Sequence, residues 1–217
     1  MRDRANGGAW SSRRVAGAAL VVGGALLLGY AATGYARGVV ARDAARAAWD
    51  AVEARRAVAG VRARAGSGDG GRVDYALGAP VARLIIPRLG LDEVVVEGVG
   101  DDELRAGPGH LPGSALPGEA GNAVISAHRD RHFHSLDEIR AGDTVRTTAA
   151  DGVIAAWIVT ERRVVSKDAP ALFASRSPRL TLTTCWPVRY LGPAPERLIV
   201  SAEPLTNGSG GAPPPGI

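Results

Sequence analysis

The feature that most constrains this chain is an uncharged run, Val15–Ala36, bounded by Arg13 and Arg14 on one side and Arg37 on the other. As a helix rising ~1.5 Å per residue, a run of about twenty residues spans the ~30 Å hydrocarbon thickness of a bilayer. It divides the polypeptide: residues 1–14 form a short polar N-terminus, and a globular domain has to be built from the residues beyond the run. By the positive-inside rule Arg13 and Arg14 favour a cytoplasmic N-terminus, although Arg37, Arg42 and Arg46 reduce the asymmetry. The expectation is one membrane-spanning helix over residues 15–36, N-terminus inside, with the remainder outside. A cleaved secretory signal is the alternative, because Ala-x-Ala-like sites stand near the end of the run.

Residues 37–79 read as a juxtamembrane segment. Its Ala- and Arg-rich part, containing Trp49, predicts a helix continuing from the membrane with arginines facing lipid or solvent. Gly66–Gly71 then reads as a flexible linker. The folded domain is expected over residues 80–205. Strand candidates are Val81–Ile86, Glu93–Glu97, Asn122–Ser126, Thr144–Thr148, Val153–Thr160, Arg162–Ser166, the stretch ending at Cys185, and Glu196–Glu203. Short helical pieces are expected at 101–106, 136–140 and 168–174, and a Gly/Pro loop containing His110 at 107–121. Many short strands with little helix predict an all-β barrel or sandwich. Residues 206–217, rich in Gly, Pro and Ser, read as a disordered tail.

The net charge of +4 comes mostly from arginine, much of it in the first third. No basic face interleaved with aromatics is visible, so no nucleic-acid partner is expected. A single cysteine excludes an intramolecular disulfide framework and a Cys-rich zinc module. That cysteine closes the alternating, β-branched stretch Thr181-Leu182-Thr183-Thr184-Cys185, which stops at Trp186-Pro187. Paired as a hairpin with 196–203, Cys185 falls opposite Arg197, Thr184 opposite Leu198, Leu182 opposite Val200 and Leu180 opposite Ala202. The last three pairs share an apolar face, while Cys185 and Arg197 share the other face with Thr183 and Ile199. A guanidinium beside a lone thiol suits a reactive thiolate. A small buried cysteine near a surface arginine is the plain alternative.

His128 comes just after a strand, where a loop can project it into a cleft and where it can act as acid or base. Cys, His and Arg together suffice for acyl transfer. A metal site drawn from His128, His132, His134, His110 and Cys185 is a competing reading, although the spacing fits no standard ligand template. His132 and His134 otherwise read as solvated loop residues, and Asp130 as a local loop or helix cap.

At these residues the chain resembles the sortases, membrane-anchored cysteine transpeptidases. Thr181-Leu182-Thr183-Thr184-Cys185 matches the family's Thr-Leu-x-Thr-Cys signature, and Ile125–Asp130 matches its histidine segment with Ala127 where Gly is usual. Arg197 matches its arginine, with Arg189, inside the loop, a second candidate. Cys-Trp-Pro and His-Arg-Asp resemble the class D branch and the related single sortases of Gram-negative bacteria. The resemblance implies an eight-stranded sortase-type β-barrel with short helices, preceded by one transmembrane helix. It implies Cys185 as nucleophile, His128 as general acid then base, Arg197 for substrate positioning and the oxyanion, and Thr184 as a contributor to substrate binding. The implied substrate is a protein with a Leu-Pro-x-Thr-Gly-like C-terminal sorting motif, passed through a thioester to an amine acceptor, a cell-wall precursor or a protein. Cofactors, metal and calcium are not expected. Two alternatives stand: a non-catalytic membrane-anchored binding barrel, and another cysteine acyltransferase such as an L,D-transpeptidase. The latter group has His-Gly immediately before its Cys, where this chain has Thr183-Thr184.

Overall fold

The structure is a computed structural model that describes residues 7–59, 74–168, 175–190 and 192–205. The expected linker at 66–71, the tail at 206–217 and residues 169–174 of the expected short helix lie outside the described residues. The chain forms two compact units, residues 1–40 and 41–217.

The first unit is the leading part of helix α1 (Gly7–Ala59). Its large apolar side chains are exposed, among them Leu20, Leu26, Leu27 and Leu28. By length and composition this helix can cross a membrane.

In the second unit, eight strands among the described residues close into a barrel. They are β1 (Pro80–Ile86), β2 (Leu91–Glu97), β3 (Gly109–His110), β4 (Asn122–Ser126), β5 (Thr144–Ala149), β6 (Ile154–Ser166), β7 (Arg179–Trp186) and β8 (Glu196–Pro204). Their order around the barrel is β1-β2-β3-β4-β7-β8-β6-β5, with β2–β3 and β4–β7 parallel. A short helix α2 (Asp101–Ala106) joins β2 to β3. Alternation points one side of each strand inward. Leu84, Ile86, Val95, Ile125, Trp157, Leu180, Leu182, Leu198 and Val200 fill the interior, all almost fully buried. The Trp157 indole N–H donates to the Thr147 hydroxyl at 2.8 Å, so its burial leaves no polar atom stranded.

The strand count agrees with the sequence expectation, but two strands differ. Val153–Thr160 and Arg162–Ser166 are one long strand, β6, with a register shift against β8 between Val159 and Glu161. Trp157 and Val159 face the core. Strict alternation would carry Glu161 inward as well, and the extra residue, Thr160, turns it to solvent. The other difference is β3, which lies within the expected 107–121 loop. Two residues suffice because Gly109 lets the chains close in: a Cβ there would sit 2.1 Å from the Gly98 carbonyl oxygen.

From Ala41 onward α1 belongs to the barrel unit. Trp49 is 1% exposed and packs with Ala45 on Val94 and Val96. Arg42 pairs with Glu93. Arg56 stacks 5.2 Å over the Trp49 ring and donates to the carbonyls of Ala149 and Ala150. These arginines face protein rather than the lipid or solvent expected of them. A cleft of about 320 Å³ on this side is lined by Arg46, Trp49, Asp50, Arg83, Asp92 and Val94, none of them on β4, β7 or β8.

Candidate active site

Three adjacent strands, β4, β7 and β8, carry the residues singled out from the sequence. The β7–β8 register is the expected one, with Cys185 opposite Arg197, Thr184 opposite Leu198, Leu182 opposite Val200 and Leu180 opposite Ala202. Directly opposite side chains project to the same face. Since Leu180, Leu182, Leu198 and Val200 are core, Cys185 and Arg197 lie on the outer face. Cys185 is partly buried and Arg197 is exposed. Among the described residues no hydrogen bond or ion pair engages the Arg197 guanidinium, so its donors are open to a ligand. Arg189 is 76% exposed and sits near acids of the 3₁₀ turn Leu136–Glu138, 3.3 Å from Glu138 and 3.9 Å from Asp137.

His128 reaches the same end of the barrel through the parallel β4–β7 pair, which runs to Ser126 opposite Thr183. The ladder continues one step further, the Ala127 N–H donating to the Thr183 carbonyl at 3.1 Å. The Thr184 hydroxyl then donates to the Ala127 carbonyl at 2.8 Å. His128 therefore leaves the end of β4 beside the end of β7, where Cys185 stands. Its own carbonyl accepts from the Phe133 N–H at 3.2 Å, and Phe133 is fully buried, which anchors the loop from below. The substrate contact expected of Thr184 is not what its geometry offers. Thr184 faces the interior and its hydroxyl holds the His128 loop. The neighbouring Thr183, 3% exposed, shares the Cys185 face, and its hydroxyl has no partner among the described residues. Its place on that face is legible from the hairpin register, but nothing in the sequence marks it as a site residue.

Burial of the half-exposed His128 ring holds its pKa below the ordinary histidine value; the charge of Asp130 opposes this, and Arg131 adds to the lowering. Asp130 is exposed and makes no capping hydrogen bond among the described residues, so its part here is electrostatic. His132 is a correction: it is 4% exposed, with Nδ1 3.3 Å from Glu93, whereas the solvated reading holds for His134. His110 is also buried, bonded to Glu97 at 2.6 Å through Nδ1 and to the Ala115 carbonyl at 2.9 Å through Nε2. Among the described residues no three His, Cys, Asp or Glu side chains converge as a metal-binding group.

A family model described as a sortase domain matches residues 84–205. The chain belongs to the sortase family. This sortase is 35% identical over 125 residues to Sortase D of Bacillus subtilis (strain 168), a match covering 57% of this chain and 63% of that relative. The chain thus spans under two thirds of that relative's length. Among solved structures, sortase E from Streptomyces avermitilis is 31% identical with a TM-score of 0.51, over 60% of this chain and 90% of that one. A Clostridium perfringens Sortase D5 transpeptidase aligns with a TM-score of 0.58 at 22% identity, over 78% of this chain and 99% of that one, which is a likeness of fold. The eight-stranded barrel is the sortase fold expected from the resemblance.

Proposed function

We propose that this sortase is a cysteine transpeptidase anchored by α1. The observation that carries the reading is the pairing of Cys185 with an unengaged Arg197 at the strand end that His128 also reaches. Cys185 thiolate attacks the carbonyl carbon of a Thr–Gly bond in a Leu-Pro-x-Thr-Gly-like motif. Arg197 donates to the oxygen as negative charge develops on it. The imidazolium of His128 protonates the departing amine, and the carbon–nitrogen bond breaks to leave a thioester on Cys185. An acceptor amine then attacks the thioester, His128 takes its proton, and the thiolate leaves. Thr184 serves by positioning the His128 loop. Thr183 offers a hydroxyl on the floor of the same face. No cofactor or metal enters these steps. The partners are proteins with a C-terminal sorting motif, an amine on a cell-wall precursor or a protein, and the bilayer. The single-pass helix places the N-terminus in the cytoplasm and the barrel outside.

The test uses the full chain in detergent micelles, incubated with a Leu-Pro-x-Thr-Gly-type peptide library and hydroxylamine. A hydroxamate of the Thr-terminated fragment supports the reading and reports the motif. Products hydrolysed at other bonds, or no product from any member, contradict it.

The depressed pKa of His128 gives a further expectation. The folded state favours neutral imidazole, so the unfolded chain binds more protons near and below pH 6.5. The contribution of His128 to stability is therefore fully present above the unfolded value. It is lost as pH falls towards and through the folded one. The His128 ring of the folded protein is expected to titrate with its midpoint below 6.5. Asp130→Asn removes the charge that raises this pKa, so that midpoint moves to still lower pH. Titration of the His128 ring protons by NMR checks the assignment, and a midpoint above 6.5 contradicts it.

A further inference from the structure

Arg129, next to His128, has no part in the reaction as written, yet its contacts are specific. Its Nη1 donates to the Pro187 carbonyl at 2.9 Å and its Nη2 to the Gly192 carbonyl at 2.5 Å. Its guanidinium carbon lies 5.6 Å from the centre of the Tyr190 ring. All three partners belong to the β7–β8 loop, which begins just after Cys185 and ends just before Arg197. No carboxylate pairs with Arg129 among the described residues, so its donors go to backbone. A planar guanidinium can span two carbonyls and stack on a ring at once, which a lysine ammonium cannot. The ladder through Ala127 aligns the strand ends, but it stops before the loop. Beyond that point the loop's other charged side-chain tether among the described residues is Arg189, an exposed residue near Asp137 and Glu138.

We propose that Arg129 is a positioning residue for acyl transfer: by holding the Pro187 and Gly192 carbonyls it keeps Cys185 and Arg197 aligned with His128. This deepens the transpeptidase reading and rests on it. One arginine thus couples the histidine loop to the start and the middle of the loop that joins nucleophile to oxyanion donor. The coupling predicts a rate effect with little change in substrate affinity, because Arg129 is committed to backbone and not to the peptide.

The test compares full-length wild type, Arg129→Lys and Arg129→Ala in detergent. Four quantities are read: kcat, KM, Tm, and the pH profile of Cys185 alkylation by iodoacetamide. Both variants are expected to lose tenfold or more in kcat, with KM within threefold and Tm within about 2 °C of wild type. Their alkylation midpoints are expected to shift, since the groups facing the thiol have moved. If Arg129→Ala does not fold, Arg129→Lys, which keeps the charge and the stem, carries the comparison. Unchanged kcat with a superimposable alkylation profile overturns the proposal, as does a loss of activity matched by the loss of folded protein. Alkylation needs no substrate, so the two readings fail separately. Wild type inert to every sorting peptide, with a profile shifted in the variants, rejects transpeptidation and leaves the coupling standing. Active wild type with an unshifted profile rejects the coupling alone.

Discussion

Cys185→Ala is expected to abolish peptide cleavage and transfer, a fall of about 10⁴-fold or more on the scale seen when a covalent nucleophile is removed. The fold should survive. Cys185 stands at the end of β7, partly exposed, and belongs to no core cluster. Removing its sulfur leaves no fully enclosed cavity, so Tm should stay within about 2 °C of wild type. Peptide turnover and differential scanning fluorimetry on the same preparation check both halves. The split also separates a catalyst from a binding barrel, since a binding module keeps its biological activity without the thiol. Replacement by serine keeps a nucleophilic atom but loses the easily formed thiolate, and should be nearly as damaging.

The second large effect lies on the far side of the barrel. Trp49→Ala removes a side chain that is 1% exposed and packed on Val94 and Val96. Truncating a buried tryptophan costs about 3–5 kcal/mol, part lost transfer energy and part residual cavity. For a domain of this size that lowers Tm by about 10 °C. Arg56, which stacks on the ring, loses its partner as well. Trp49→Phe keeps most of the buried area, and the indole N–H has no partner among the described residues, so a much smaller loss is expected. Thermal unfolding of full-length variants checks this. A Trp49→Ala protein melting with wild type contradicts the docking of this helical segment on β2.

The two effects differ in how readily the sequence reveals them. The Cys185–Arg197 register comes from alternation alone, because a slip of one residue would drive Leu182, Val200 and Leu198 to the wrong face. The docking of residues 41–56 leaves no such mark. Alanine with scattered arginine suits a lipid surface and a protein surface equally, and nothing local names Glu93 or the Ala149 carbonyl as partners. Strand β3 is hidden for a related reason. Two residues show no periodicity, and Gly109 is needed for a close approach that exists only in three dimensions. The bulge at Thr160 interrupts the alternation, and in sequence such an interruption looks the same as a boundary between strands. His132 looks like a loop residue because burial of one side chain near Phe133 depends on the residue packed over the loop, here Glu93. In the site itself, the motif residues are readable as chemistry. The hydrogen bonds that align them, from Thr184 to Ala127 and from Arg129 to Pro187 and Gly192, are not.

Whether Cys185 carries the acyl group is tested most directly by intact-mass spectrometry. The full-length protein is acid-quenched during turnover of a cleavable sorting peptide, weighed, and then mapped by peptide digestion. The expected result is an adduct equal in mass to the Thr-terminated acyl fragment, located on Cys185, released by hydroxylamine and absent from Cys185→Ala. Turnover that proceeds without an adduct and persists in Cys185→Ala, or an adduct mapping to another residue, would contradict a thioester on this cysteine.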